Sequence, residues 1–399
     1  MSGTDRRERL PELNLFRAFA ILGVVHVHAS SYAAGVQASE SPYYYFFNWM
    51  NIFFKFGTPC FIFLSSFVLF YNYAGRPVNR GLIFGFYRKR LLYIVMPYLV
   101  ASVCYYFVNQ GFNGDLSLPV GTHLAKLAAG VATGTAYTHL YFVFINVQFY
   151  LLFPLVLLLL KRFPGLAPWA VPLGLAIEWG FALWNKYDLQ LEDKASYAPT
   201  YMSYYMLGLC AAAYFDRLKP WLARGLRSQT ARQRGATAVL WGCWLAAAFV
   251  HVQLYHNGRA YGIWVDSLWY ELLWNVHSLL SALVLLQAAF RLGRRAKPAA
   301  AFLSRMGELS FAIYLLHPVF LLAYRRFRYS IPPESLTYLV WVWAGVPVCL
   351  FLAWLTAAGV FRWVPGAPLL LGSRPGPARA APARPAEPAG PKAAGSGRF

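Results

Sequence analysis

Apolar runs of about twenty residues recur along the chain and restrict its fold more than any other sequence feature. A helix of about 20 apolar residues crosses the roughly 30 Å hydrocarbon core of a bilayer. The sequence predicts ten such spans, although prolines interrupt the fifth and sixth. Their approximate limits are 13–35, 45–71, 91–110, 138–160, 166–185, 197–215, 236–254, 266–290, 306–323 and 336–360. The predicted fold is therefore all-α, a polytopic membrane bundle of about ten transmembrane helices.

The positive charges lie between the apolar runs and alternate from one loop to the next. The net charge is +21, yet only 13% of the residues are charged and 58% are hydrophobic. With the N-terminus in the cytoplasm, 27 of the 36 lysines and arginines fall in cytoplasmic segments, which is the distribution that sets membrane topology. Because the cations are not gathered in one basic domain, nucleic acid is not an expected partner. We expect a multi-pass protein of the cell (plasma) membrane with both termini in the cytoplasm.

One transmembrane domain, residues 1–364, is expected to precede a tail. Residues 365–399 are rich in Pro, Ala and Gly and cannot bury apolar surface, so a disordered cytoplasmic tail is expected. No small-residue cleavage site follows the first apolar run, so that run is expected to be retained. The five cysteines lie far apart without metal-ligand spacing, which predicts buried hydrophobic residues and no metal site.

Two ionisable residues, Arg17 and His28, lie within the first apolar run. Ionisable residues at membrane depth cost roughly 2.5–3.5 kcal/mol each, so they indicate function. Eleven residues return a helix to nearly the same azimuth and advance it by roughly 16 Å, whereas His26 points to the opposite side. One helix face therefore carries a cation near one membrane surface and an imidazole in the far half, which suits a site reached from both sides. The alternatives are an Arg17 side chain that snorkels to the interface and a structural hydrogen bond from His28.

Arg17 and His28, with ten residues between them, resemble the R-x10-H signature of the acyltransferase-three family. Members of this family are integral-membrane enzymes that acylate sugars of surface polysaccharides. Other stretches resemble family motifs of helices two, three, four and nine and occur in the expected order. They are 56–69, 87–98, 139–143 with 148–154, and 310–318.

The chain departs from the family pattern at two places. Ser66 stands where the second helix usually has glycine, which affects how closely that helix packs. Asn146 and Val147 precede Gln148, whereas many relatives have a glutamate just before this glutamine, so a carboxylate role cannot be carried over. The sequence after the signature, Val27 to Ser31, resembles the polysaccharide O-acyltransferase branch that lacks an extracytoplasmic esterase-like domain.

The resemblance implies transfer of an acyl group, acetyl above all, from cytoplasmic acyl-CoA to a hydroxyl of a cell-surface or exported glycan. His28 would be the general base for the sugar hydroxyl, because an imidazole titrates near neutral pH, and Arg17 would orient the donor. Arg88, Lys89 and Arg90 at the inner mouth would bind the CoA phosphates, with positive-inside anchoring as the alternative. Acyl-CoA is the donor substrate, and no metal is implied.

Three arginines that follow the ninth span, Arg325, Arg326 and Arg328, are predicted on the outer side against the charge trend. We expect them to bind the anionic part of a glycan or lipid-linked glycan acceptor, either an acidic sugar or a lipid diphosphate. His317 lies seven to eleven residues earlier, near the same outer mouth, and is included in the predicted acceptor site. The alternatives are contact of the arginines with membrane lipids and a hydrogen bond from His317 to the carbonyl freed by Pro318.

A transporter or exporter of a polysaccharide or small metabolite, with Arg17 and His28 along its pathway, is the main alternative function. A glycolipid-handling protein without transfer chemistry is another. Transporters often show paired, interrupted half-repeats, and none is found here, which favours an enzyme. Further ionisable residues in apolar runs are expected to face the bundle or an interface; they are Lys55, Glu178, Glu271, His277 and Glu308.

The predicted topology can be tested with single cysteines in a variant whose five native cysteines are replaced. Glu40→Cys and Glu192→Cys are expected to react with a membrane-impermeant maleimide in intact cells, because both positions are predicted outside. Ser228→Cys is expected to react only after the cells are permeabilised, which also controls for its accessibility. Labelling at position 228 in intact cells, with protection at position 40, would show that the orientation is opposite to the predicted one.

Overall fold

The computed structural model describes residues 8–36, 39–113, 115–294, 298–328 and 331–374. Within these ranges the chain forms sixteen α-helices and no strand. They are α1 (Glu12–Val36), α2 (Tyr44–Phe53), α3 (Gly57–Tyr73), α4 (Arg80–Arg90), α5 (Met96–Asn113), α6 (Val120–Thr133), α7 (Tyr141–Arg162), α8 (Ala170–Trp184), α9 (Met202–Ala213), α10 (Phe215–Ala223), α11 (Ala231–Tyr261), α12 (Ser267–Gly293), α13 (Pro298–Glu308), α14 (Ser310–Arg326), α15 (Leu336–Trp363) and α16 (Ala367–Leu371).

Eight helical segments in the described ranges are long and apolar enough to cross a membrane. The pair α13 and α14, which bends by 81° at Leu309, gives a ninth if it is one span. The predicted all-α polytopic membrane bundle is therefore confirmed. The structure differs from the prediction of ten spans at the sixth predicted segment, 197–215, where α9 has only 12 residues.

The short sixth segment follows from Pro199, which lies in a 3-10 turn (Ala198–Tyr201) that leads into α9. With a rise of about 2.0 Å per residue in the turn and about 1.5 Å in the helix, residues 198–213 extend about 26 Å. That length is slightly less than a hydrocarbon core of roughly 30 Å. α9 packs along α3 and α8 and is almost completely buried.

Helix α1 lies in the centre of the bundle and packs against α2, α3, α12, α13, α14 and α15. Its span is 61% buried, whereas the spans built on α5, α8 and α11 are each 28% buried. The outer helices expose large apolar side chains such as Leu99, Leu173 and Phe249, as expected for surfaces that contact lipid. Because α1 has neighbours on all sides, its ionisable residues lie inside the protein.

Two glycines allow neighbouring backbones to approach α1 closely. A Cβ atom on Gly57 would lie 2.7 Å from Val24 Cγ2 and 2.9 Å from the Val24 nitrogen. A Cβ atom on Gly307, beside the bend between α13 and α14, would overlap the backbone carbonyl of Asn14. Small residues at such contacts are the usual means by which membrane helices pack tightly.

The ion pairs in the described ranges separate into two ends of the bundle. Glu8 pairs with Lys219 at 2.5 Å at the end where both are predicted to be cytoplasmic. Lys186 pairs with Asp266, and Lys194 with Glu271, at the end predicted to be outside. The Lys186 ammonium and the Leu268 N–H hold the pKa of the Asp266 carboxyl below its usual range. Each pair therefore joins residues that the charge alternation assigns to one side.

The predicted tail, 365–399, lies mostly outside the described residues, which end at residue 374. Its first part forms α16, which packs against α5 and the helical turn before it. Arg374 Nη2 donates a hydrogen bond to the Phe361 carbonyl at 3.1 Å. The packed chain therefore continues past the predicted boundary at residue 364.

Gly307→Ala is expected to destabilise the protein, because the added methyl group meets the α1 backbone and overpacking costs typically about 1–3 kcal/mol. The matched control is Gly242→Ala in α11, where a Cβ atom meets nothing within 4 Å. Thermal unfolding in detergent is measured as the loss of the monodisperse size-exclusion peak. The midpoint temperature should fall for the first variant only. An unchanged midpoint for Gly307→Ala would contradict this account of the packing.

Candidate functional site

Arg17 lies in the half of α1 that faces the predicted cytoplasmic end, at an internal cavity of about 230 Å³. Its Nη1 donates a hydrogen bond to Asn14 Oδ1 at 2.6 Å, and Asn14 Nδ2 donates one to Glu308 Oε1 at 3.2 Å. The guanidinium is thereby oriented by the preceding turn of α1 and by the bend between α13 and α14. Sequence analysis did not identify Asn14, although its position three residues before Arg17 places it on the same helix face.

Arg90, at the end of α4, also lines this inner cavity. Its guanidinium carbon lies 4.9 Å from the ring centroid of Tyr150 and 5.2 Å from that of Phe86. The other two residues of the predicted donor site, Arg88 and Lys89, are exposed and do not line the cavity. Two residues on a helix turn through about 200°, so Arg88 and Arg90 point in opposite directions. The structure therefore places Arg90 in the lining of the same cavity as Arg17, but not Arg88 or Lys89.

His28 lines a second, larger cavity of about 630 Å³ at the opposite end of α1. Aromatic and aliphatic side chains make up most of the lining, with a few polar groups, which is the usual composition of a small-molecule site. Thr58 Oγ1 and Tyr141 OH, also in the lining, lie 3.1 Å apart in a hydrogen bond. The aromatic lining residues are Phe54, Tyr141, Tyr201, Tyr255, Trp264, Tyr270 and Trp274, and Lys55 and Glu271 add charge.

The two cavities lie at different levels of α1, and aromatic side chains line the inner one. The Phe142 ring lies 5.7 Å from Phe61 and 5.1 Å from Tyr314, and all three line the inner cavity. Tyr141, the preceding residue, lines the outer cavity. The shared helix face of Arg17 and His28 thus directs both side chains to internal cavities, but to different ones.

His26 is placed differently from His28, as its position on the helix indicates. Its Nδ1 bonds to the Leu22 carbonyl at 2.7 Å, and its ring stacks on Phe54 with centroids 4.1 Å apart. It lines neither the inner nor the outer cavity. The contacts of His26 are those of a structural histidine.

His28 belongs to a cluster of three histidines from α1, α14 and the turn before α7. The rings of His28 and His317 are 5.2 Å apart between centroids, and those of His317 and His139 are 5.9 Å apart. His139 and His317 are completely buried. Sequence analysis placed His139 in a family motif without giving it a role, because nothing local shows that it meets α14. Among the described residues, no three His, Cys, Asp or Glu side chains are arranged to hold a metal ion.

Pro318 determines the hydrogen bonding of His317. A proline has no N–H, so the Tyr314 carbonyl four residues earlier lacks its helical partner. His317 Nδ1 lies 2.8 Å from this carbonyl oxygen and donates to it, since a carbonyl only accepts. The proton is therefore on Nδ1, and Nε2, which has no partner within the described part of the chain, carries the lone pair. The hydrogen bond from His317 to the carbonyl freed by Pro318, which was the alternative interpretation of His317, is therefore formed. The His317 ring also lies beside that of His28.

The three arginines predicted to bind the acceptor lie in a third cavity, not in the one that His28 lines. Arg325 still reaches the site through the backbone, because its Nη2 donates a hydrogen bond to the His28 carbonyl at 2.5 Å. His317 lines none of the three cavities and contacts His28 directly.

Glu178 accepts hydrogen bonds from the Ser203 N–H and from Asn275, so it joins α8 to α9 and α12.

Comparison with known proteins identifies a family whose sequence pattern this chain matches. A family model described as an acyltransferase domain matches residues 10–358, which include both cavities and the histidine cluster. Searches of curated proteins and of solved structures gave no match.

Proposed function

Because this chain belongs to the acyltransferase-three family and is a membrane acyltransferase, we propose that it moves an acyl group, acetyl above all, from cytoplasmic acyl-CoA to a glycan hydroxyl. The glycan is a cell-surface or exported one, and the protein lies in the cell (plasma) membrane with both termini in the cytoplasm. The observation that carries the proposal is the pair of cavities along α1, with Arg17 and Arg90 in the inner one and His28 in the outer one.

The inner cavity suits an anionic donor. Two guanidinium groups line it, and no carboxylate from the described ranges does. Arg90 is held against Tyr150 and Phe86, which leaves its planar N–H donors for phosphate or carbonyl oxygens. Arg17, deeper on α1, would orient the thioester carbonyl. Arg88 and Lys89, exposed on the preceding residues, would add attraction for the CoA phosphates at the surface.

The outer cavity suits a sugar. Trp264 and Trp274 offer apolar ring faces, and Lys55, Glu271 and the Thr58 hydroxyl offer hydrogen-bonding groups. Such a mixture of aromatic faces and few polar groups orients a polar ligand that also has apolar faces. His28 lies in the wall of this cavity, where a hydroxyl of the acceptor can reach its imidazole.

The chemistry that follows is a direct transfer. His28 takes the proton of the sugar hydroxyl as the oxygen attacks the thioester carbonyl carbon and the carbonyl electron pair moves to its oxygen. The carbon–sulfur bond then breaks, and the sulfur takes the proton from the His28 imidazolium. The products are the ester and free CoA thiol. In this proposal the acyl group would pass the Phe142 and Tyr314 side chains of the inner cavity to reach His28.

His317 acts in this proposal as a positioning residue. His317 Nε2 has no partner among the described residues, and the His28 ring centroid lies 5.2 Å from that of His317. In the proposed reaction this lone pair would accept the N–H of His28, which would leave the other His28 nitrogen to accept the hydroxyl proton. Because Pro318 sets which nitrogen of His317 is protonated, this positioning would depend on a backbone carbonyl of α14.

The proposed function is tested with purified protein in lipid and labelled acetyl-CoA. We expect free CoA to appear only when a suitable glycan is added, together with label on the glycan. A transporter would move either molecule without breaking the thioester, so glycan-dependent CoA release separates the two functions. Absence of release with every glycan class tried would reject acyl transfer from acetyl-CoA.

His28→Ala is expected to lower the transfer rate by about 10²–10⁴-fold, the usual contribution of a general base. The matched control is His26→Ala, which should retain a substantial fraction of the rate because His26 lines neither reaction cavity. Both rates are compared per amount of monodisperse protein, since loss of a buried hydrogen bond also destabilises a fold. Equal, complete loss in two well-folded variants would contradict the assignment of His28.

Arg90→Gln is expected to raise the apparent KM for acyl-CoA by about tenfold or more, the loss expected from one charge-assisted hydrogen bond. Arg88→Gln, two residues earlier and exposed, should raise it much less. The KM for the glycan should stay nearly unchanged in both variants, and added salt should weaken donor binding in the unmodified protein. If neither variant alters the KM for acyl-CoA, the basic residues 88–90 only set the membrane topology and do not bind the donor.

A further inference from the structure

The third cavity, of about 410 Å³, lies between α1, α14, α15 and the end of α5. Three guanidinium groups line it, and each is held over an aromatic ring. The distances from guanidinium carbon to ring centroid are 5.8 Å for Arg325 over Tyr32, 4.9 Å for Arg326 over Phe112 and 4.9 Å for Arg328 over Tyr338. A guanidinium stacked on a ring face keeps its in-plane N–H groups for other partners.

Among the described residues, these three positive charges have no acidic partner. No carboxylate of these residues lines the cavity, and the ion pairs they form all involve lysines elsewhere. Arg328 Nε and Tyr338 OH are buried and have no hydrogen-bond partner among the described residues. Three neighbouring cations repel one another, so holding them together is costly unless an anion binds between them.

The rest of the wall is mostly apolar, although three tyrosines and one tryptophan in it also carry polar groups. Between the arginines the cavity is lined by Leu321, Leu322 and Val342, with Ala29 and Ala33 of α1 opposite. A free sugar acid or inorganic phosphate would leave these apolar side chains without a partner. An anion that carries an alkyl chain would satisfy both the cations and the apolar wall.

The cavity adjoins the proposed reaction centre. Arg325 donates to the His28 carbonyl, and the cavity lining begins at Ala29, the next residue of α1. A ligand in this cavity therefore lies against the same helix segment as an acceptor in the outer cavity, on the neighbouring face.

We propose that this arginine cavity binds a phosphate group attached to an alkyl chain, and that its source is the lipid carrier of the acceptor glycan. The guanidinium groups would donate to the phosphate oxygens, and the chain would lie along Leu321, Leu322 and Val342. The identity of the source rests on the proposed function; the binding of an alkyl phosphate does not.

The binding is measured directly with radiolabelled dodecyl phosphate and the purified full chain in dodecyl maltoside. We expect saturable binding that inorganic phosphate, which has no chain, does not displace at equal concentration. The variant is Arg326→Gln with Arg328→Gln, which keeps the Arg325 contact to His28. We expect its Kd to rise by about tenfold or more, as for loss of charge-assisted hydrogen bonds.

The matched control is Arg217→Gln with Arg362→Gln, which removes two arginines stacked on Tyr214 and Trp363 at the opposite end of the bundle. Its Kd should equal that of the unmodified protein, since the change in net charge is the same. No saturable binding, or an equal Kd in the cavity variant and the control, would overturn the proposal.

Competition identifies the source of the phosphate. We expect farnesyl diphosphate, an isoprenoid diphosphate, to displace the label at lower concentration than phosphatidylglycerol. Equal displacement by phosphatidylglycerol would assign the cavity to membrane phospholipid and overturn its link to the acceptor. Because no acyl donor is present, failure of this binding is distinguishable from failure of glycan-dependent CoA release.

Discussion

The burial of α1 on all sides is the constraint on which the rest of the structure depends. Six helices surround it, and at Gly57 and Gly307 their backbones approach so closely that a single methyl group would not fit. Arg17 and His28 therefore cannot turn to water or lipid headgroups, and cavities and hydrogen-bond partners must be built around them. The Asn14–Glu308 contacts at one end and the histidine cluster at the other are those partners.

The arrangement places two chemically different cavities along α1. Among the described residues, two arginines and no carboxylate line the inner cavity, whereas rings and a few polar groups line the outer one. In the proposed function, the anionic thioester, which cannot cross a bilayer, would bind in the inner cavity. The glycan, which is handled outside, would bind in the outer cavity. Phe142 and Tyr314, whose rings contact each other in the wall of the inner cavity, are side chains that an acyl group would pass on its way to His28.

The outer half depends on long-range contacts that join three segments at His28. His317 faces it from α14, His139 lies behind His317, and Arg325 donates to its carbonyl. The adjacent Pro318 makes one carbonyl available and so sets the protonated nitrogen of His317. A local backbone defect is thereby converted into the orientation of a side chain in the proposed reaction centre.

The sequence by itself predicted most of the helical spans and the common face of Arg17 and His28, because apolar length and helical periodicity are local properties. It also indicated the Tyr314–His317 contact through Pro318. Only the tertiary structure decided that α13 and α14 bend by 81°, that Arg90 lines the same cavity as Arg17, that His139 meets His317, and that the outer arginines line a cavity of their own. These contacts join residues far apart in the chain, and which helix faces meet depends on the close packing of many side chains at once, which no local period encodes.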